Sequence, residues 1–231
     1  MIEFQNVTKT YDNGTEAIRG IDLKIEDGEF VFLVGPSGSG KSTLLNLLTA
    51  ELKPTSGKIH INGFELDTIK KNQIPYLRRT VGVIFQDFRL IEKKTVYQNV
   101  AFAMRVIGAS EKEIRQRVPY VLELVGLQDK SRSYPDELSG GEQQRVSIAR
   151  AIMKKPDVLL CDEPTGALDS NTGVGVLQLL RDQTKNGTTV IVVTHNTLIA
   201  EIADRVIRLK NGKVQSNELN PAPKAISEVS W

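Results

Sequence analysis

The chain has 231 residues, of which 40% are hydrophobic and 25% charged, as in a soluble globular domain with a sizeable core. The formal net charge is +2, and this near balance gives no indication of a polyanionic partner such as nucleic acid. The longest uninterrupted apolar run has five residues, far fewer than a membrane-spanning helix requires. The single cysteine, Cys161, excludes an internal disulfide framework and suits a reducing cytoplasm.

The first part of the chain is predicted to form strands of an antiparallel sheet. Polar and apolar residues alternate over 2–7 and again over 21–25, which is the pattern of a sheet with one solvated face. Tyr11 follows the first of these stretches. An aromatic residue at this place can stack on an adenine ring or simply pack against its neighbours, and the pattern alone favours neither interpretation.

A glycine-rich segment at 35–43 connects an apolar run at 30–34 to a helix-compatible stretch at 44–48. This context is typical of a phosphate-binding P-loop, because backbone N–H groups and a helix N-terminus face one anion. Lys41 would reach the β- and γ-phosphates, and the Ser42 hydroxyl would take one Mg²⁺ position. An ordinary glycine turn is the alternative, but the pattern arises by chance in only about one chain per hundred of this length. The candidate nucleotide-binding residues are Gly35, Pro36, Ser37, Gly38, Ser39, Gly40, Lys41, Ser42 and Thr43.

The rest of the chain combines helical and strand patterns. A mostly apolar strand at 81–85 is followed by a helical pattern from about 88 to 154. Continuous apolar strands at 158–161 and 189–193 then alternate with helical stretches, which predicts a parallel sheet covered on both faces. Ligands bind beyond the carboxyl ends of such strands. Residues 216–231 contain two prolines and are expected to form a loosely attached tail.

Four polar residues follow directly after apolar strands, where the γ-phosphate of a bound nucleotide is expected. Asp162 would hold Mg²⁺, and Glu163 would orient or deprotonate the attacking water. Gln86 can hold water or the metal, and His195 can contact the γ-phosphate. Each of these residues alone is common in surface loops, but together with a P-loop they predict a nucleotide-hydrolysing site.

A second glycine-containing helix start follows Leu138. Its serine hydroxyl, flexible backbone N–H groups and helix N-terminus form a second phosphate-binding surface. Because the first site already has its own groups, a second surface suggests binding to the nucleotide of another copy of the chain. The structural alternative is that Ser139 merely caps a helix, with Glu142 at capping-box spacing. The candidate contact residues are Ser139, Gly140, Gly141, Glu142 and Gln143.

In these motifs and their order, the chain resembles the nucleotide-binding subunit of ABC transporters over nearly its whole length. The resemblance implies ATP and Mg²⁺ as ligands and makes Tyr11 the adenine-stacking aromatic. Residues 35–42 resemble Walker A, Gln86 the Q-loop glutamine, 138–143 the signature, Asp162 and Glu163 Walker B with the catalytic glutamate, Ala167, Leu168 and Asp169 the D-loop, and His195 the switch histidine.

The family implies an α/β P-loop NTPase fold with a central, mostly parallel sheet, an N-terminal antiparallel sheet and an inserted α-helical subdomain. We therefore expect a single ABC ATPase domain over residues 1–231. Its core is expected at 1–87 and 155–215, the helical subdomain at about 88–154, and a flexible tail at about 216–231.

Different segments of the chain resemble two different subgroups of the family. Segments 74–79, 82–90 and 95–103 resemble the FtsE subfamily, whose ATPases pair with the permease FtsX in bacterial cell division. The last third, including 203–214 and the tail ending in Trp231, resembles ATPases of MacB- and LolD-type exporters of peptides, antibiotics or lipoproteins, which also pair with FtsX-like permeases.

The resemblance implies a homodimer in the ATP state and an FtsX-like permease as partner, with no nucleic acid. No secretory signal is recognisable, so we expect the protein in the cytoplasm, held at the inner face of the membrane by its permease. A soluble ABC ATPase is an alternative, although such proteins usually carry coiled-coil insertions or tandem cassettes. A P-loop kinase is another, against which the signature segment argues. Whether cargo is transported or a cell-wall hydrolase is gated stays open.

Overall fold

A computed structural model describes residues 1–166 and 168–228, which contain two β-sheets and six α-helices. The strands are β1 (Ile2–Thr10), β2 (Glu16–Ile25), β3 (Phe30–Val34), β4 (Ser56–Ile61), β5 (Phe64–Glu65), β6 (Val81–Ile84), β7 (Val158–Asp162), β8 (Thr189–Thr194), β9 (Arg205–Lys210) and β10 (Lys213–Leu219). The helices are α1 (Lys41–Leu48), α2 (Ile74–Thr80), α3 (Val96–Val106), α4 (Glu111–Leu124), α5 (Gly140–Ile152) and α6 (Ser170–Thr184).

The larger sheet has the strand order β10-β9-β3-β8-β7-β6, and all its pairings are parallel except that of β10 with β9. All residues of β3 and β8 are buried, as their uninterrupted apolar sequences require in a sheet covered on both faces. Val34 pairs with Thr194, and Val193 pairs with Asp162. The carboxyl ends of β3, β8 and β7 therefore lie side by side at one edge.

The smaller sheet is antiparallel, with the order β2-β1-β4-β5. The apolar residues of β1, β2 and β4 pack with α1 and with one face of the larger sheet. The other face of the larger sheet packs against α3, α4, α5 and α6. This arrangement confirms the predicted α/β class, with its N-terminal antiparallel sheet and the helices inserted between β6 and β7.

Three of these helices begin at capping boxes that the sequence supplies. Thr95, Ser110 and Ser139 each accept a hydrogen bond from a backbone N–H of the first turn, and a Glu or Gln side chain reaches back in each case. Helix α4 continues through Pro119, the residue at which the sequence suggested a kink. The boundaries of a helical subdomain at residues 88 and 154 stay a prediction.

The end of the chain differs from the expectation of a loose tail from residue 216. Residues 216–219 belong to β10, which pairs with β9 as an edge strand. Further on, Ile226 is only 7% exposed, and the backbone N–H of Lys224 donates to the carbonyl of Glu201 at 3.0 Å. The expectation failed because an edge strand with few apolar residues has no period-2 signal strong enough to detect. Within 1–166 and 168–228, no helix is long and apolar enough to cross a bilayer.

Candidate nucleotide-binding site

A cavity of about 540 Å³ opens at the carboxyl edge of the larger sheet. Residues from both sheets, the P-loop and four strand ends line it, although they are far apart in sequence. Those that the sequence predicts are Tyr11, Ser37, Gly38, Gly40, Lys41, Ser42, Thr43, Gln86, Asp162, Glu163 and His195. The structure thus brings Tyr11, the P-loop and the residues that follow the apolar strands together in one cavity.

The P-loop connects β3 to α1 and has the shape that an anion requires. Gly40 has a φ of 106°, and a Cβ atom there would lie 2.7 Å from the carbonyl oxygen of Ala17, so only glycine fits. Gly40 is also the N-cap of α1, and no side chain caps this helix. The first N–H groups of α1 consequently remain available to a phosphate oxygen.

Lys41 begins α1 and is 9% exposed. Its ammonium Nζ donates to the carbonyl oxygens of Gly35 at 2.6 Å and Pro36 at 3.0 Å. These two residues of the predicted segment therefore support Lys41 from the loop backbone rather than line the cavity, and Ser39 is buried below the loop surface. A phosphate in the loop would offer Lys41 a charged acceptor in place of neutral carbonyls.

Tyr11 lies immediately after β1 and lines the same cavity as Asp162 and Glu163. Its hydroxyl is 3.1 Å from Oγ1 of Thr43, and the Nζ atom of Lys9 lies 5.7 Å from the ring centroid. The contact with Thr43 holds the ring next to α1. This position is compatible with adenine stacking, which stays a prediction.

The two carboxylates of the site differ in their surroundings. Asp162 ends β7; burial raises the pKa of its carboxyl above the ordinary value, the charge of Glu163 raises it further, and Lys41 opposes both. Glu163 follows with a φ of 45°, a left-handed conformation that is uncommon for a residue with a side chain. Because consecutive side chains of extended backbone point to opposite sides, this conformation lets both carboxyls line one cavity.

The donor atoms around Asp162 fit Mg²⁺. Among the described residues there is no cluster of three or more His, Cys, Asp or Glu side chains of the kind that encloses a metal. Among the residues that line the cavity, Ser42 offers a hydroxyl, Gln86 an amide and Asp162 a carboxylate. Mg²⁺ is usually bound by one or two carboxylates together with substrate phosphates, and these oxygen donors suit that pattern.

His195 follows β8 and contacts Glu163 twice. Its backbone N–H donates to Oε1 of Glu163 at 2.9 Å, and its ring Nδ1 lies 2.8 Å from the same oxygen. The Glu163 side chain is 13% exposed, whereas that of His195 is 73% exposed. His195 therefore fixes the carboxylate at the cavity wall while its own ring extends toward solvent.

The predicted signature and D-loop residues lie outside this cavity. Ser139 caps α5: its Oγ accepts from the backbone N–H of Glu142 at 3.3 Å, and the Glu142 carboxylate accepts from the N–H of Ser139 at 2.8 Å. The capping-box interpretation is therefore realised in this structure. Asp169 caps α6 through the N–H of Thr172 at 3.1 Å, while Ala167 lies outside the described residues.

Part of the cavity wall is formed by residues that the sequence did not predict, namely Thr15, Glu16, Ala17, Gly166 and Val193. Thr15 directly precedes β2, Glu16 and Ala17 begin it, and the pairing of Glu16 with Thr10 carries them next to Tyr11. Val193 lies in β8, shortly before His195, the residue that the sequence did single out. A hairpin prediction across 2–25 could have found the first group, because pairing places both ends of a hairpin side by side.

Residues 18–166 match the family model described as ABC transporter, so the chain belongs to the ABC transporter family and is an ATPase of that family. Two similar relatives are cell division ATP-binding proteins FtsE, from Streptococcus pneumoniae and Bacillus subtilis. Each is 50% identical to this chain over 219 residues; these cover 94% of this chain and 95% and 96% of the respective relatives.

Among solved structures, a dimeric post-hydrolysis state of the ATP-binding cassette MJ0796, bound to ADP and Pi, superposes with a TM-score of 0.88. It is 39% identical, and the match covers 96% of this chain and all of that one.

Proposed function

We propose that this chain is an FtsE-type ATPase that dimerises around ATP and drives an FtsX-like membrane permease in bacterial cell division. The single observation that carries the proposal is the convergence of the P-loop, Gln86, Asp162, Glu163 and His195 on one cavity. The similarity over 94% of the chain to relatives named cell division ATP-binding protein FtsE supports the cell-division role.

We infer dimerisation because the signature residues do not line the cavity of their own chain. Ser139, Gly140 and Gly141 begin α5 outside it, and a Cβ atom on Gly140 would meet no heavy atom within 4 Å. In a head-to-tail pair with two-fold symmetry, this open helix start would cover the nucleotide in the cavity of the other copy. The dimeric state of the related cassette bound to ADP and Pi supports this arrangement.

In the proposed hydrolysis, Lys41 and the P-loop N–H groups bind the phosphates, and Glu163 accepts a proton from the attacking water. His195 keeps the Glu163 carboxylate in position and reaches the γ-phosphate. Ser42, Gln86 and Asp162 would hold Mg²⁺, which would neutralise negative charge on the nucleotide phosphates. Loss of the γ-phosphate removes the contact that favours the closed dimer, so each ATP supplies one cycle of movement.

The proposed permease would act on a groove between β6 and α3. It has a volume of about 440 Å³ and is lined in part by Phe85, Ile91, Phe102 and Val106. Phe102 is 43% exposed and Val106 52%, so the groove presents apolar side chains to solvent. The groove begins next to Gln86, so a permease helix seated there would respond to the occupancy of the nucleotide cavity.

A MacB- or LolD-type exporter is the second candidate, favoured by the sequence of 203–214. These residues form β9, the turn and the start of β10, on the side of the sheet remote from the groove. A soluble ABC ATPase without a membrane partner is the third candidate.

A pull-down from detergent-solubilised bacterial membranes distinguishes the candidates, using Glu163→Gln protein loaded with ATP. Recovery of an FtsX-like permease together with a cell-wall hydrolase is expected. A permease with a periplasmic adaptor, or with lipoprotein or antibiotic cargo, would instead establish the exporter. If no membrane protein is enriched over a Lys41→Met control, the soluble alternative is correct and the proposal fails.

A further inference from the structure

Helix α5 contacts the start of α6 and two of the segments that carry residues of the nucleotide cavity. At its start, a Cβ atom on Gly141 would lie 2.6 Å from Cγ2 of Thr172, the residue that Asp169 caps. In its middle, Gln144 contacts the turn after Glu163. At its end, Arg150 contacts the segment after Gln86. Helix α5 thus connects its own start to the segments that follow β6 and β7, the strands whose ends carry Gln86 and Glu163.

Arg150 uses both terminal nitrogens of its guanidinium on the segment after Gln86. Nη2 donates to the carbonyl oxygen of Phe88 at 2.8 Å, and Nη1 donates to that of Arg89. Burial lowers the pKa of the Arg150 guanidinium, and no carboxylate among the described residues offsets this. Burying a cation against neutral carbonyls alone costs free energy. We therefore attribute the burial of Arg150 to the fit between its planar, forked guanidinium and the two carbonyls of Phe88 and Arg89.

The segment that Arg150 holds is strained. Phe88 and Arg89 have φ values of 58° and 46°, two consecutive left-handed residues that both carry side chains. Residues with side chains rarely adopt this conformation, and it persists only where its surroundings enforce it. Arg89 also stacks on Phe85, with 3.9 Å between the guanidinium carbon and the ring centroid. The residue between these constraints is Gln86, which lines the cavity.

Gln144 makes the equivalent contact at the other strand end. Its side chain is 1% exposed, and Nε2 donates to the carbonyl oxygen of Pro164 at 2.9 Å. Pro164 follows Glu163, whose φ is also positive. Neither Gln144 nor Arg150 lines the cavity, so neither can touch the nucleotide itself.

We propose that Arg150 and Gln144 are positioning residues through which α5 sets the place of Gln86 and Glu163. Contact of the α5 start with the nucleotide of the partner copy is thereby transmitted to the catalytic residues of the same chain. This inference rests on the proposed ATP dimer. The bonds of Arg150 and Gln144 would couple the two cavities, and neither residue takes part in the reaction itself.

The experiment is a double-mutant cycle of Arg150→Met and Gln86→Ala, measured as steady-state ATP hydrolysis. Arg150→Met is expected to lower kcat about tenfold or more with KM unchanged, because small misplacements of a catalytic group are costly. The double variant is expected to be no slower than Gln86→Ala alone, since Arg150 acts through Gln86. Arg150→Lys, which keeps a cation but loses the fork, should recover part of kcat.

Arg117→Met is the matched control. Arg117 also donates to a carbonyl at the end of α5, that of Met153 at 3.1 Å, rather than to the segment after Gln86. Its loss should leave kcat unchanged. If the effects of Arg150→Met and Gln86→Ala multiply, or if Arg117→Met lowers kcat equally, Arg150 is merely structural and the inference is overturned.

Gln144→Leu provides an independent variant in case Arg150→Met does not fold. It should lower kcat with KM unchanged, and an unchanged kcat removes Gln144 from the proposal. ATP-driven dimerisation of Glu163→Gln protein is measured alongside by analytical ultracentrifugation. A Glu163→Gln dimer combined with multiplicative cycle effects overturns only the positioning role, whereas failure to dimerise overturns the proposed function on which it rests.

Discussion

Two helices of this protein, α1 and α5, begin at glycine and serine residues, but their starts are built differently. Helix α1 has Gly40 as its N-cap, no side-chain cap, and walls from both sheets around it. Helix α5 has Ser139 as its N-cap, a reciprocal bond to Glu142, and open space beside Gly140. The first start is prepared to bind an anion within one chain, whereas the second is satisfied by its own side chains.

The difference shows why a single chain carries only half of each proposed catalytic site. The capping box stabilises α5 by about 1 kcal/mol, so the signature start is stable without a ligand. A phosphate that approached it would find Ser139 and the N–H groups of Gly140 and Gly141 already oriented. The α1 start, in contrast, leaves its N–H groups without a side-chain acceptor and is expected to depend on the nucleotide.

The largest expected effect concerns the chemistry at the α1 cavity. Glu163→Gln keeps the size of the side chain but removes the proton acceptor, so kcat should fall about 10²- to 10⁴-fold. ATP binding should persist, because Glu163 follows the strand and does not belong to the P-loop. Stopped-flow or steady-state phosphate release measures the rate, and fluorescent ATP binding measures the affinity.

Glu201→Gln is the control for this change. Glu201 carries an exposed carboxylate on the segment after His195, where it pairs with Lys224 at 2.6 Å. Its replacement removes one carboxylate charge outside the cavity. Normal turnover by Glu163→Gln protein would refute the role of Glu163.

The next effect separates binding from hydrolysis at the same helix start. Lys41→Met removes the ammonium, and loss of a hydrogen bond between charged groups costs about 1.5–3 kcal/mol, so the Kd for ATP should rise about 10- to 150-fold. Isothermal titration calorimetry checks the affinity. Lys154 is a matched lysine, because its Nζ also donates to two carbonyls, those of Arg78 at 2.8 Å and Val81 at 2.7 Å, outside the cavity. Equal losses in Lys41→Met and Lys154→Met would disprove a specific phosphate contact.

A third, smaller effect tests the open helix start. Gly140→Asp places a carboxylate where the partner's γ-phosphate is expected, and like charges at an interface oppose association. In the Glu163→Gln background, ATP-driven dimerisation should weaken at least about tenfold, while ATP binding to the monomer stays unchanged. Gly175→Asp is the matched control, since Gly175 is also helical with no heavy atom near its Cβ position. Dimers of undiminished stability with Gly140→Asp would show that α5 does not face the nucleotide.

The sequence predicts the α1 cavity far better than it predicts the contacts of α5. The P-loop is contiguous, and Gln86, Asp162 and His195 each follow an apolar strand; the carboxyl ends of parallel strands must meet at one edge. The bonds of Arg150 to Phe88 and Arg89 join residues about sixty positions apart through backbone carbonyls, which every residue type possesses. No pattern of residue types can therefore reveal them.

The smallest expected effect concerns Lys154, just beyond the end of α5. Burial, together with the nearby charge of Arg150, lowers the pKa of Lys154 from 10.5 to about 8. Below pH 8 both folded and unfolded chains are protonated there, and the cost of burying the charge is present in full. Between pH 8 and 10.5 the unfolded chain binds more protons, so the free energy of unfolding should rise with pH.

Comparison of wild type with Lys154→Met isolates this effect, because all other titrating groups are common to both. From pH 7 to pH 9.5 the unfolding free energy of the wild type should rise by about 1 kcal/mol relative to that of Lys154→Met. This figure is reduced for the partial exposure of the side chain. Urea unfolding at both pH values measures it, and Lys155→Met at the exposed neighbouring position reports the effect of merely removing a positive charge. A difference that stays constant over this range would mean that the two carbonyl contacts of Lys154 compensate its burial, and that the end of α5, like its start, is satisfied by its own neighbours.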